Sequence, residues 1–548
     1  MDKILISACL LGENVKYNGG NNRLDNPIID RWRKADRLVP VCPEVFGGMS
    51  TPRAPSEIIG GRVINSNGDD VTNFFEKGAH IALEYAQKSG ARYAMLKQNS
   101  PSCGSKNIYD GTFSGKKISG AGITAALLRG NGIKIFDETQ TDALDAEMMS
   151  AALPHKIKNA LKRLNDNGYE AYAVGGCVRD MLMGRIPSDY DLTTNATPNE
   201  VTECFADFTV VPTGIKHGTV TVVDGGENIE ITTYRIDGEY ADNRHPTAVS
   251  FTRNLREDLA RRDFCMNAIA MDRNGKIADP FGGETDIAAG RIACVGNAAV
   301  RFNEDALRIL RCIRFASALG FEIEGETCAA VRRYARLLAG ISAERIFAEL
   351  KKLLCGDSAS RIMSEYRSVI FEILPQLDTD GYDRAIECMD KCPGRADFRL
   401  AMLTTCAAPQ SAADICGRLK TDGNTRTAVI RLTENRNFDI VPDRVSVRRA
   451  AATFGVDFLP VLADFVRIYA DNETMGEVKR IAEEIKADGD CCGIAQLAVN
   501  GGDMVALGYE GKEIGTALEK LLDAVMSEKV KNTKEDLTDY IGDCKITN

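Results

Sequence analysis

Histidine is nearly missing from this chain. Its 548 residues include four, and none follows His245. A phosphohydrolase site of paired His and Asp metal ligands therefore cannot be built in the C-terminal half. Tryptophan occurs once. No apolar run is long enough to cross a membrane, and Met1-Asp2-Lys3-Ile4 leads into a strand pattern rather than a secretory leader. The expectation is a cytoplasmic protein without membrane contact. Surplus positive charge is also missing, since the formal net charge is −10. A nucleic-acid partner must then be met by local basic patches and helix N-termini. Cysteine is plentiful, at 17 residues, but no Cys-x-x-Cys pair occurs. Most cysteines, such as Cys312, Cys355 and Cys406, lie in apolar helix-like stretches and read as reduced core residues.

What is present centres on Ala173-Val174-Gly175-Gly176-Cys177-Val178-Arg179-Asp180, followed by Ser188-Asp189-Tyr190-Asp191-Leu192. The first segment reads as a strand end, a Gly-Gly turn and a helix start. Gly175 and Gly176 let backbone approach a ligand, and helix N–H groups suit phosphate. The second segment reads as a strand. Asp189 and Asp191 are two apart, so both carboxylates leave one face. Two hard oxygen ligands beside a phosphate cradle are what a Mg²⁺–nucleotide site needs.

The length points to several domains. Residues 1–138 form a self-contained α/β unit. Ile4–Cys9, Arg37–Cys42 and Arg92–Lys97 read as buried strands, with a helix over Thr72–Ser89. Parallel strands would bring Cys9, Cys42 and Cys103 to one sheet edge, where open α/β sheets bind ligands. Residues 139–153 read as a polar linker. A helix from His155 to Asn167 follows, then β-rich chain from Phe208 to Arg235 with a hairpin turn at Asp224-Gly225-Gly226. Glu230 alternates with apolar neighbours and is a candidate third carboxylate. Leu259-Ala260-Arg261-Arg262-Asp263-Phe264-Cys265-Met266-Asn267-Ala268 and Asp279-Pro280-Phe281-Gly282-Gly283 with Asp286 come next. Phe302–Arg314 is helical by period, which places Asp305 and Arg308 side by side at i, i+3, with Arg311 and Arg314 continuing the face toward a triphosphate.

From Pro154 onward, these motifs resemble the class II tRNA nucleotidyltransferases and bacterial poly(A) polymerases. The resemblance implies a polymerase-β-like α/β nucleotidyltransferase head over 154–290. An all-α neck over 291–355 would read the base, with a helical body over 356–480 and an RNA-holding tail over 481–548. It implies contacts of Arg179, Arg262 and Asp263 to the nucleotide. It also makes the polar segment from Asp237 to Arg253 a flexible loop, whose full length favours addition of both C and A. Ile341–Glu349 looks like the family's last motif, a helix start with a capping pattern. Many relatives carry a His-Asp signature near Phe398–Thr405, where this chain reads Phe-Arg-Leu-Ala-Met-Leu-Thr-Thr. Expected partners are tRNA, CTP and ATP; a poly(A) polymerase on the same scaffold is the alternative.

The Asp305–Arg308 pair offers a chemical account of base choice. Arg308 can only donate and Asp305 can only accept. Cytosine and adenine edges satisfy both groups, while uracil and guanine mismatch. Each buried unpaired group costs roughly 1–3 kcal/mol.

In the first domain, Ser-Ala-Cys-Leu-Leu-Gly, Cys-Pro-Glu-Val-Phe-Gly-Gly, Thr-Pro-Arg and Ser-Pro-Ser-Cys-Gly resemble the family that includes thiouracil desulfidases. That resemblance implies a [4Fe–4S] cluster held by Cys9, Cys42 and Cys103, with one iron left open to sulfur from a thiolated nucleobase. Glu44 and Ser100 flank these cysteines as candidate proton-transfer groups. The competing reading makes this domain a non-catalytic RNA-binding or regulatory module with structural cysteines.

Overall fold

The computed structural model describes residues 2–212, 214–238, 249–408 and 411–546. They form two compact units, Met1–Glu304 and Asp305–Asn548. The N-terminal part of the first unit carries a four-stranded sheet of β1 (Ile4–Ser7), β2 (Leu38–Val41), β3 (Tyr93–Leu96) and β4 (Lys134–Asp137). Its order is β2-β1-β3-β4 and every pairing is parallel. Ile4, Leu5, Ile6, Met95 and Leu96 are wholly buried. Continuous apolar runs are what a parallel sheet covered on both faces requires, and each such side chain contributes roughly 2 kcal/mol through burial.

Helix α1 (Pro27–Lys34) is capped by Asn26, whose side chain accepts from the Ile28 N–H. Helix α2 spans Thr72–Ser89, the range expected from its period, and buries Phe75, Ala79, Ala82 and Ala86 on one stripe. A Cβ on Gly78 would stand 1.8 Å from the Pro43 carbonyl oxygen. Glycine there lets α2 close onto the turn that follows Cys42. The segment expected as a linker instead carries helix α3 (Thr141–Ala152). Its Leu144 and Met148 pack with Trp32 and Phe136, so apolar spacing outweighs the polar start of the stretch.

The head begins with helix α4 (His155–Asp166). Its sheet contains β5 (Ala171–Val174), β6 (Asp191–Thr194), β7 (Thr209–Val211), β8 (Thr219–Asp224), β9 (Glu227–Thr233), β10 (Ala270–Met271) and β11 (Ile277–Ala278). The order is β7-β8-β9-β6-β5-β10-β11. The expected hairpin joins β8 to β9, with both Gly225 and Gly226 at positive φ. Strand β6 is antiparallel to β5 and parallel to β9. Helices α5 (Gly176–Leu182), α6 (Leu255–Ala260) and α7 (Gly283–Ala289) complete the part used below. The expected flexible loop lies largely outside the described residues, at 239–248.

The second unit is almost wholly helical. Helix α8 spans Leu307–Leu319 and α9 spans Ala343–Leu354. Ser342 precedes α9 without a side-chain capping bond, contrary to the capping pattern. Helix α10 (Ala396–Thr404) is buried along most of its length, and Arg399 donates to the carbonyls of Leu354 at 2.7 Å and Gly356 at 2.8 Å. Most of the Phe398–Thr405 stretch thus lies in a core helix. In the tail, Asn500 caps α11 (Gly501–Ala506) and Gly511 precedes α12 (Lys512–Met526). Among the described residues no helix is long and apolar enough to cross a membrane.

Candidate active sites

The head site grows from the end of β5. Gly175 has φ +81°, in the left-handed region, and a Cβ there would meet Arg262 Nη1 at 2.9 Å. Position 175 therefore favours glycine for its left-handed backbone, with the Arg262 guanidinium packed directly beneath it. Gly176 has no comparable constraint, since a Cβ would find only ordinary contact. Arg262 lies four residues from Asp258, whose carboxylate is 3.9 Å from Nη2. Burial pulls the Arg262 pKa down and Asp258 opposes that most strongly. Among the described residues Arg262 Nε is buried without an acceptor. A buried donor left over beneath a glycine turn is a ready partner for phosphate oxygen.

Strand β6 starts at Asp191, so the expected strand over 188–192 is shorter and Asp189 lies in the coil before it. Asp189 and Asp191 nevertheless act on each other, and β9 sets Glu230 in register with Asp191. All three side chains are exposed. Crowding by protein atoms raises the Asp191 pKa; Arg262 lowers it, and the like charges of Asp189 and Glu230 raise it further. Among the described residues no three ligating side chains converge tightly enough to hold a metal ion alone. The donor set fits Mg²⁺ shared with substrate phosphates: hard carboxylate oxygens, few protein ligands and open access.

Two further groups complete this cradle: Asn267, inside the Leu259–Ala268 motif but given no role there, and Asp258, just before it. Asn267 accepts from Arg179 Nη1 at 2.8 Å and donates to Asp263 at 3.2 Å, joining two distant motifs. Wholly buried Asp258 accepts from Arg261 Nε at 2.9 Å and from Thr193 Oγ at 3.2 Å, linking the arginine turn to β6. Both lie within four residues of Asp263 or Arg262. Their places in and beside that motif were the available signal, and their partners are visible only in three dimensions.

In the second unit the helix expected over 302–314 is interrupted. It restarts at Leu307, and Asp305 caps it by accepting from the Leu307 N–H at 3.1 Å. One turn still joins Asp305 to Arg308, whose N–H donates to the Asp305 carbonyl at 3.0 Å. The Asp305 carboxylate also accepts from Arg345 Nη2 at 3.0 Å. Arg345 starts α9, so the last motif orients Asp305 directly. Arg308 is buried. Arg314 donates to buried Glu349 at 2.9 Å, and Arg311 lies 3.8 Å from the same carboxylate. Glu349 thus sits beside both arginines of this helix. Cys355, expected as core, is exposed.

The N-terminal site is a cavity of about 500 Å³ at the C-terminal ends of the parallel strands. Cys9, Cys42 and Cys103 all line it, as do Glu44 and Ser100. Cys9 lies in the turn just past β1, Cys42 directly follows β2, and Cys103 sits in the loop after β3. Burial raises all three thiol pKa values, most strongly at Cys103. Three thiols around a space, rather than about one point, suit a polynuclear cluster in which each binds a different iron. Ser100 Oγ donates to Glu44 at 3.2 Å and accepts from the Cys103 N–H at 3.1 Å. Arg53, from the Thr-Pro-Arg motif, fixes Glu44 from the other side at 2.8 Å.

Comparison with known proteins matches three stretches. Residues 4–140 fit the family 2-thiouracil desulfurase, 171–293 the Poly A polymerase head domain, and 320–379 the Probable RNA and SrmB-binding site of polymerase A. A CCA-adding enzyme of Oceanobacillus iheyensis is 52% identical over 198 residues, 36% of this chain and 49% of that protein. The chain thus spans about half the length of the curated relatives it matches. The solved [4Fe–4S]-dependent thiouracil desulfidase is 45% identical over 26% of this chain and 93% of its own, with TM-score 0.25. The Bacillus stearothermophilus CCA-adding enzyme in complex with CTP is 31% identical, over 71% of this chain and 97% of its own, with TM-score 0.62. On that coverage, together with the glycine turn, the paired aspartates and the arginine beneath them, the chain belongs to the CCA-adding enzyme family, with a 2-thiouracil desulfurase-type domain at its N-terminal end.

Proposed function

We propose that this chain adds C, C and A to tRNA 3′ ends from CTP and ATP, without a nucleic-acid template. The observation that carries the reading is the joining of the Gly175 turn, Arg262 and the Asp189–Asp191–Glu230 set in one cradle. Asp189 and Asp191 would hold Mg²⁺, which when bound neutralises charge on the triphosphate. Arg262 and Arg179 bind phosphate and sugar oxygens, with Asp263 and Asn267 keeping Arg179 in place. Glu230 stands beside Asp191, where its charge keeps the strand edge anionic. The tRNA 3′-hydroxyl attacks the α-phosphate in line and pyrophosphate leaves. Asp305 accepts from the base and Arg308 donates to it, and the cytosine and adenine edges answer both. Arg311 and Arg314 of α8 lie against Glu349, on the face proposed to reach the triphosphate. Incubating the full chain with tRNA lacking its 3′ end and each NTP separately tests this. Incorporation of CMP, then AMP after CMP, is expected. AMP runs from ATP alone would favour poly(A) addition.

For the N-terminal domain we infer desulfuration of thiolated pyrimidines. Cys9, Cys42 and Cys103 would hold a [4Fe–4S] cluster, which when bound supplies a Lewis-acidic iron. The Ser100–Glu44 hydrogen bond inside the thiol cavity supports the reading, because it gives a path for a proton to and from the ring. Arg53 keeps Glu44 oriented for that transfer. Sulfide release from 4-thiouracil by anaerobically prepared protein tests it. A colourless, iron-free protein after reconstitution would leave a module with structural cysteines.

A further inference from the structure

We propose that the thiol-lined pocket takes its thiolated pyrimidine as a residue of an RNA chain, turned out of its stack, rather than as a free base. This rests on the desulfidase reading above. The cavity, at about 500 Å³, lies in the range of pockets that enclose whole drug-sized ligands, and the cluster and the ring would share it. Its rim carries two aromatic side chains open to solvent, Tyr17 at 42% and Phe113 at 39% exposure. Lys16 lies over the Tyr17 ring, 5.6 Å from its centroid. Phe113 is held at φ +57°, which a bulky side chain rarely adopts, and its N–H donates to buried Glu57 at 3.0 Å. The fold therefore expends backbone strain to fix an aromatic ring in the lining of the thiol cavity. Paired aromatic platforms beside a cavity suit the bases that flank an extruded nucleotide.

Charge points the same way. Residues 1–140 hold 18 Lys and Arg against 14 Asp and Glu, a surplus of four in a chain whose net charge is −10. Lys116 and Lys117 are exposed just beyond Phe113. The domain is also tied to the head. Arg31 pairs with Asp145 of α3 and, at 2.8 Å, with Glu284 of α7, and Ser150 donates to the Arg273 carbonyl at 2.9 Å. A pocket fixed to a head that works on RNA is served its substrate within RNA.

The reaction is a hydrolysis. Water gives its oxygen to the ring carbon, the C=S bond is replaced by C=O, and sulfur leaves with both protons as hydrogen sulfide. No electrons are gained or lost.

The test uses the full chain with its cluster reconstituted and three substrates: tRNA containing 4-thiouridine, 4-thiouridine monophosphate and free 4-thiouracil. Sulfide and thiocarbonyl absorbance are followed. A kcat/KM for tRNA about tenfold or more above that for the free base is expected. Tyr17→Ala and Phe113→Ala should each lower the tRNA-to-free-base ratio about tenfold. A second readout needs no cluster. Near-ultraviolet irradiation of the metal-free chain with the same tRNA should cross-link the thiouridine to a peptide carrying Tyr17 or Phe113. Sulfide from free base or mononucleotide, with tRNA neither consumed nor cross-linked in this domain, overturns the proposal. Sulfide from none of the three overturns the desulfidase reading itself.

Discussion

The thiol pocket and the carboxylate cradle both form where strands end, yet their surroundings differ in kind. In the N-terminal domain every strand of the sheet runs parallel, so successive loops leave from one edge and wrap a cavity. Its thiols are desolvated, and burial holds them protonated in the absence of metal. In the head, β6 is antiparallel to one neighbour and parallel to the other, and its three carboxylates face solvent. Soft thiol groups are gathered around a cavity, and hard carboxylates stand on an open strand edge.

The comparison breaks most sharply if the strand edge survives loss of a carboxylate. Asp191→Ala should lower nucleotide addition at least about a hundredfold, near 2.7 kcal/mol in the barrier, with the melting temperature unchanged. Single-turnover incorporation of CMP checks this, and more than a tenth of wild-type rate retained would remove Asp191 from the metal set. The pocket is expected to be equally intolerant. Cys103→Ser should bleach the reconstituted protein and strip most of its iron, while Cys177→Ser, in the head, leaves colour and iron intact; absorbance and iron analysis decide it. A smaller effect separates positioning from chemistry in the second unit. Arg345→Ala should relax discrimination against UTP and GTP about tenfold, because Asp305 loses its orienting bond. Competition assays against CTP measure it, and unchanged selectivity at a lower rate would make the pair structural.

The smallest expected effect concerns pH. Asp191 must be ionised to hold a cation, and its raised pKa means that activity starts to fall with decreasing pH above the usual aspartate range. Glu230→Gln removes a like charge, lowers that pKa and should move the acid limb of kcat/KM to lower pH. A limb that stays in place in this variant would uncouple Glu230 from Asp191.

Much of this organisation is written in local patterns. The α2 range, the Gly225-Gly226 hairpin and the strand-end cysteines follow from periodicity and turn chemistry, which depend on near neighbours in sequence. Side-chain partners of long sequence separation do not. The i, i+3 spacing of Asp305 and Arg308 is kept by a turn at the helix start, where the Asp305 side chain accepts from the Leu307 N–H. That the same carboxylate also meets Arg345, 40 residues away, no local pattern shows.

By itself the sequence determined which chemistries are possible here. It supplies thiols at three strand ends, paired carboxylates after a Gly-Gly turn, and no imidazole for a metal site in the C-terminal half. Those are matters of composition and short-range geometry. Only the tertiary structure decided that Arg262 lies beneath Gly175, that Glu230 stands in register with Asp191, that Asn267 joins Arg179 to Asp263, and that Phe113 is held open at the pocket rim. Each of these depends on sheet register or on packing between segments far apart in the chain. Such pairings are selected by the whole buried core, whose free energy no local window contains.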